Sequence, residues 1–405
     1  MNTKYTKSSF SRAALLGFLL GTLNAQLPMH AQGPLTPPGA PTSSMKSLDQ
    51  IEARTIVNAA NTPGDATNTF IISAPGSYYL TGNLTGDSGK HGISIQANDV
   101  TLDLNGFALI GGGGGAFRGV NVPLAQKNFS IRNGTVRGWT DGGVRTDVAI
   151  NTLAEKLRLS DNLGATGLVI GNGAARDCVS AGNATGFVVG NGAQIKDCSA
   201  TANTTGFSAG DRSHVNNCIA TINTSTGFSC TSFVTLVDCT SSRNAGVGIS
   251  VQGNCNVTRC NASRNDVDGL TTGPGCTVAG CTAGNNGYNG ISVDTGSTVQ
   301  NCTARVNGSA GVGCSASCQL LGNTCDANNR GVYTSGNGNR IDGNSCSANT
   351  LHGYSISGSN NLLVRNSAHA NTTDFSIGAN PAGPIVNMTG GGTISSTSPW
   401  ANFTY

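Results

Sequence analysis

The sequence predicts an all-β solenoid: a single-stranded right-handed parallel β-helix with a short N-terminal capping helix. Three observations predict it. Glycine takes 58 of 405 residues while charged residues are 11% and aromatics 5%, so the chain lacks the large side chains that fill one thick core. Val, Ile and Leu nonetheless recur steadily, as a folded chain requires. An asparagine also returns every 20 to 22 residues over eleven rungs, a period typical of coils that contact only their neighbours.

Residues 1–31 read as a secretory signal peptide. Lys4, Lys7 and Arg12 precede the apolar run Ala13-Ala14-Leu15-Leu16-Gly17-Phe18-Leu19-Leu20, and small residues at Ala25 and Ala31 suit cleavage. The run is too short for a permanent membrane helix, and no later stretch is apolar enough to span a bilayer. Secretion is expected, to the periplasm, the medium or the cell surface. Removing those three cations from 23 basic residues leaves 20 against 20 acids. A neutral mature chain gives no basis for nucleic-acid binding or for attachment to anionic membranes.

Residues 32–44 form a Pro/Gly/Ser-rich linker without a core pattern. Residues 45–64 read as an N-terminal cap. Met45, Leu48 and Ile51 have helical spacing, and Ser43 or Ser44 stands ready to cap. A solenoid needs such a cover, because its first coil exposes apolar core and strand edge. The β-helix itself is expected over 65–390. Between about 70 and 140, short runs such as FIIS, GSYYLTG and VTLDLNGFALIG close on Gly or Asn at irregular spacing. Gly111 to Gly115 reads as a flexible loop, since no helix with Lys-Ser/Thr follows to cradle phosphate. In the tail, 391–405, Trp400, Phe403 and Tyr405 are expected to fold back and close the last coil.

From about 155 the coils become regular. With Arg176 as the first position, the eighth is Asn183, Asn203, Asn223, Asn244, Asn265, Asn286, Asn307, Asn328, Asn349 and Asn371, and Asn162 adds a rung before them. Parallel coils stack about 4.8 Å apart, so an inward Asn can bond to the groups above and below it. It satisfies polar backbone that a buried turn would otherwise strand. Position 13 is apolar (Phe228, Ile249, Leu270, Ile291, Val312, Tyr333, Tyr354), position 21 likewise (Leu236, Val257, Val278, Val299, Leu320, Ile341), and position 5 is small.

The asparagine column and the absence of helical patterns from the repeat resemble the pectin-lyase-like right-handed parallel β-helix superfamily. The segment GSYYLTGNLTG through GKHGISIQANDVTLDLNGFALIG is similar to the first coils of uncharacterised secreted bacterial β-helix proteins. The resemblance spans about 65 to 390 and is specific for fold. It implies lyases and hydrolases of polysaccharides as the common enzymes on this scaffold.

Fourteen cysteines in an exported chain suggest disulfides. Register suggests otherwise: Cys178, Cys198, Cys218, Cys239, Cys260, Cys281 and Cys302 share position 3, and Asn323, Asn344 and Asn366 continue that column. The others also fall at inward positions. They are read as small buried hydrophobes, with rung-to-rung disulfides as the alternative. No finger spacing and no His column support a metal site.

A hydrolase needs two carboxylates roughly 5 to 9.5 Å apart. Asp177, Asp197 and Asp238 share position 2 and are the carboxylate candidates, but they neighbour Arg176 and Lys196 and equally suit a solvated charge ladder. Asp266, Asp268 and Asp294 lie in turns of neighbouring coils and read as surface residues, with Ca²⁺ as the lesser alternative; otherwise no cofactor is expected. The irregular stretch 118–158 carries Arg118, Arg132, Arg137, Arg145, Trp139 and Asp141. An exposed Trp139 flanked by Arg132, Arg137, Arg145 and Asp141 would stack on a sugar ring while gripping an acid group; packing of Trp139 beneath a loop is the other reading. The expected role is a monomeric, non-catalytic protein that binds extracellular or cell-surface polysaccharide or builds the cell surface. A lyase or hydrolase of acidic polysaccharide is the alternative.

Overall fold

The computed structural model describes residues 53–162, 164–394 and 396–405. The expected signal peptide, the linker and the helix-forming Met45, Leu48 and Ile51 lie outside them. The described residues contain strands and turns and no helix, hence none that could cross a membrane.

Each regular coil contributes three short strands, and each strand pairs in parallel with its counterpart one coil on. Thr235–Val237, Thr240–Ser242 and Ile249–Val251 make one such coil, paired with Asn256–Thr258, Asn261–Ser263 and Leu270–Thr272 of the next. These strands define a first, a second and a third face. The third is a 15-stranded sheet from Asn68–Ile72 to Thr373–Ser376. The first two faces merge into one 29-stranded sheet, because Ser130–Arg137 and Thr152–Ser160 run across the corner between them. Thr55–Ile56 begins the stack by pairing with Gly76–Tyr79. Asn402–Thr404 ends it, paired with Ser367–His369 and Ile385–Asn387.

One local rule makes every corner. A residue in left-handed backbone is followed by an inward side chain that bonds to the coil before it. At the corner between second and third faces the pairs include Ala202-Asn203, Arg243-Asn244 and Val306-Asn307. Each Asn Oδ1 accepts the backbone N–H of the preceding rung, as Asn286 does from Asn265 at 3.0 Å. Its Nδ2 donates to a carbonyl of the preceding coil, here Ala262 at 3.0 Å. Val306 and Ile222 hold φ near +54° and +56°, which β-branched residues rarely adopt. The ladder thus fixes the backbone more strongly than side-chain preference opposes it.

The other two corners carry ladders too, and here the cysteines find their role. Cys281 Sγ accepts from the Cys260 N–H at 3.4 Å, and Cys302 Sγ from Cys281 at 3.4 Å. Asn323 continues the column at 3.0 Å, followed by Asn344, Asn366 and Asn402. At the third corner Cys255, Cys276, Ser297, Cys318, Asn339, Asn361 and Asn380 play the same part. All fourteen cysteines are buried free thiols. Those at the corners act as weak rungs as well as filler, since a thiol both donates and accepts feebly, while Cys230, Cys314, Cys325 and Cys346 lie between the corners as filler.

Between the corners the columns pack as layers. Phe187, Phe207 and Phe228 stack face to face at 5.0 and 4.7 Å. One expected member of that column is corrected: Val332 pairs with Val312 and fills the core, while Tyr333 pairs with Gly313 and points outward. The turn from Asn328 to Gly331 has one residue fewer than that from Asn307 to Gly311, and a one-residue slip exchanges the faces of a strand.

Candidate functional site

The carboxylate candidates are corner residues. Asp177, Asp197 and Asp238 hold φ of 54°, 53° and 54°, in a column that also contains Asn217, Arg259 and Gly280. Asx side chains tolerate this backbone. Asp238 is bound by Arg259 through Nε at 2.7 Å and Nη2 at 2.9 Å, and Asp197 accepts from Asn217 at 2.6 Å. Turn geometry accounts for all three and neighbour bonding for Asp197 and Asp238, while Asp177 lines a shallow groove with Lys156 and Arg158.

The expected Trp139 site is also corrected. Trp139 is 2% exposed; its indole N–H donates to the Leu109 carbonyl at 3.3 Å and its backbone N–H to Asn162 Oδ1 at 3.2 Å. Gly86, Gly92 and Gly119 lie against the ring so closely that a Cβ at Gly86 would stand 2.4 Å from it. The ring faces the core because its cover is glycine. Gly111 and Gly112, expected in a flexible loop, pack tightly on the Gly138 and Gly86 carbonyls instead.

The four residues expected around Trp139 go to three places. Arg137 ends the strand Ser130–Arg137, exposed, beside Ile110 and Ser160. Arg132, on the first face, bonds Asp103 at 3.1 Å, with Arg54 3.6 Å from the same carboxylate. Burial would raise the Asp103 pKa, but bonds from Asn105, Asn133 and Arg132 outweigh it and hold the carboxyl below its ordinary range. Asp141 and Arg145 meet on the third face. There Arg118 bonds Asp141 at 2.7 Å and Asn121 at 2.8 Å, while Arg145 holds Asp147 at 2.8 Å and approaches Asp141 at 3.5 Å. Two guanidinium groups face two carboxylates, so this N-terminal patch neutralises itself. His91 stands beside it, accepting the Arg118 backbone N–H at 3.0 Å. Burial first, and then the charge of Arg118, lower its pKa.

A second patch occupies the C-terminal end of the same face. Register places Ala310, Arg330 and His352 in one outer column and Gly313, Tyr333 and Ser355 in the next. The Arg330 guanidinium lies over the Tyr333 ring at 5.2 Å. Among the described residues Arg330 has no carboxylate partner. Arg330 Nε and His352 Nδ1 are buried atoms without a hydrogen-bond partner there, an unusual state for polar groups. The coil beneath offers only Ala310 and Gly313, and a Cβ at Gly313 would meet nothing nearer than 4.0 Å. The patch is therefore a cation beside an aromatic ring, above a strand, Ala310–Cys314, that is itself buried. Sequence reasoning missed it because Tyr333 was assigned to the core.

The acids considered for Ca²⁺ do not converge. Asp294 bonds its neighbour Thr295, Asp268 accepts from the Asn289 N–H at 2.7 Å, and the described residues hold no cluster of three metal-ligating side chains.

A family model described as the right handed beta helix region matches residues 270–398. The chain is a right-handed parallel β-helix. No curated protein sequence matches it. Among solved structures, it is similar to the A-module of the mannuronan C-5 epimerase AlgE4 of Azotobacter vinelandii, at 18% identity over 76% of this chain and 88% of that one, with a TM-score of 0.33. It is also similar to the periplasmic alginate epimerase AlgG (12%, 87% and 82%, 0.33) and to pectate lyase Pel9A (15%, 64% and 66%, 0.35).

Proposed function

We propose that this β-helix is an exported, non-catalytic protein that binds acidic glycans on its third face through Arg330, Tyr333 and His352. The observation that carries the reading is Arg330, which has no carboxylate partner among the described residues and lies over the Tyr333 ring at 5.2 Å. A guanidinium with free N–H groups recognises a carboxylate or sulfate in bidentate fashion, and the ring beside it offers a surface for the apolar side of a sugar. His352, one coil away, adds a hydrogen bond. Asp141 and Arg145, expected to bind ligand, belong to a patch whose charges are already spent on each other.

One observation favours the alternative, a lyase of acidic polysaccharide. His352 and Tyr333 flank the cation that would neutralise a uronate carboxylate, where an α-proton base has to stand. Titration of purified protein with pectin, alginate and sulfated glycans tests both. Binding that Arg330→Ala removes, without new absorbance in the unsaturated-uronate band, supports the proposal. Product release would replace it with the lyase reading, and binding indifferent to Arg330→Ala would overturn the site.

A further inference from the structure

A second polar site lies at the opposite side of the coil, on the corner between first and second faces near the C-terminal end. A groove of about 540 Å³ there is lined by Gln319, Leu321, Gly322, Arg340, Asp342 and Arg365, among others. Two of its corner positions are glycine, Gly322 and Gly343, both left-handed at φ 62° and 67°. Coils on either side have Asn301 and Arg365 at that position, so the missing side chains lower the floor for two rungs.

The groove is electrically asymmetric. Asp342, 5% exposed, is the carboxylate for two arginines. Arg340 bonds its Oδ2 through Nη2 at 2.7 Å, and Arg365 bonds Oδ1 through Nε at 2.7 Å and Oδ2 through Nη2. Two cations share one anion, and each guanidinium keeps Nη1 free of any partner among the described residues. Arg365 is also fixed from behind, since its guanidinium lies over the Trp400 ring at 5.5 Å. Trp400 remains half exposed, at 50%, and lies beside Arg365 next to, rather than in, the lining of a groove with net positive charge. That is the pairing the sequence suggested for Trp139, placed by the fold about 260 residues later.

We infer that this corner groove is a second binding site for an acidic sugar residue, its carboxylate or sulfate taken by Arg365 and Arg340 and its ring set against Trp400. The inference rests on the glycan reading for the class of ligand, but the site shares no residue with the Arg330 patch. Calorimetry with tetragalacturonate, and with maltotetraose as the neutral control, tests it in the Arg330→Ala background. The acidic oligomer is expected to retain measurable affinity there, lost about tenfold on adding Arg365→Lys, which keeps the charge but not the fork or the stack. Trp400→Ala is expected to give a similar loss, and Trp400→Phe, which keeps the bulk of the cap, a smaller one. Absence of binding in the Arg330→Ala protein, or residual binding untouched by Arg365→Lys and Trp400→Phe together, overturns the inference. Arg330-dependent binding would survive that result. Conversely, wild-type affinity in Arg330→Ala that Arg365→Lys removes would sink the third-face reading and keep this one.

Discussion

The N-terminal and C-terminal parts of the β-helix differ both inside and out. Outside, the patch at Arg118, Asp141, Arg145 and Asp147 is closed on itself, whereas Arg330 near the other end finds no acid among the described residues. Inside, the corner between first and second faces is built of thiols from Cys178 to Cys302 and of amides from Asn323 to Asn402. From Asn339 onward all three corners carry amide ladders. The open patch thus sits on the most firmly bonded coils. On the proposed reading the change from Cys to Asn matters, because a binding surface gains affinity when its groups are held in place before the ligand arrives.

The largest test of this contrast is internal. Asn344→Ala strands the Asn323 N–H and the Leu320 carbonyl, both bonded at 2.8 to 2.9 Å, and should cost ~3 kcal/mol in urea denaturation. Cys281→Ala removes only the Sγ contacts with the Cys260 N–H and the Val257 and Ala279 carbonyls, at 3.4 to 3.5 Å, and should cost ~1 kcal/mol. Equal costs would dissolve the distinction between thiol and amide rungs. On the surface, Arg330→Ala should weaken acidic-glycan binding by about thirtyfold, ~2 kcal/mol, against less than about twofold for Arg145→Ala; a reversed order would move the site to the N-terminal patch. Tyr333→Ala should cost binding ~1 kcal/mol by removing the support beneath the guanidinium. The smallest effect is in pH. Burial works to raise the Asp147 carboxyl, but the bonds and charge of Arg145 prevail and hold it below its ordinary 3.8. A depressed folded pKa gives stability that is present above 3.8 and drains as pH falls through the lower folded value. Amide protection in Gly142–Thr146 should therefore fall below about pH 4, while Arg330–Thr334, whose patch contains no carboxylate, should hold.

Much of the fold was legible in the residues because the rule that builds it is local. The spacing of Asn183, Asn203 and Asn223 announced the coil, and alternation placed Val257, Val278 and Val299 in the core, where they are buried. The cysteines were legible as interior but not as hydrogen-bonded rungs. That role shows only in the distance from Cys281 Sγ to the N–H one coil before. The site was far less legible. Trp139 admitted two readings, a sugar platform or a packed ring, because composition around it was basic and nothing in the local pattern says that three glycines from other coils close over it. Tyr333 read as core because a constant period was carried across a turn one residue shorter.

The sequence by itself determined the period and the inward columns, since each depends on residues within a single coil and repeats until it is unmistakable. Only the tertiary structure decided which charges are spent and which are free. Arg118 finds Asp141 and Arg365 finds Asp342, each across 23 residues, while Arg330 finds no acid among the described residues. Whether a cation is neutralised depends on what lies within about 4 Å of it in the next coil, and that is set by small changes in turn length that alter no pattern along the chain.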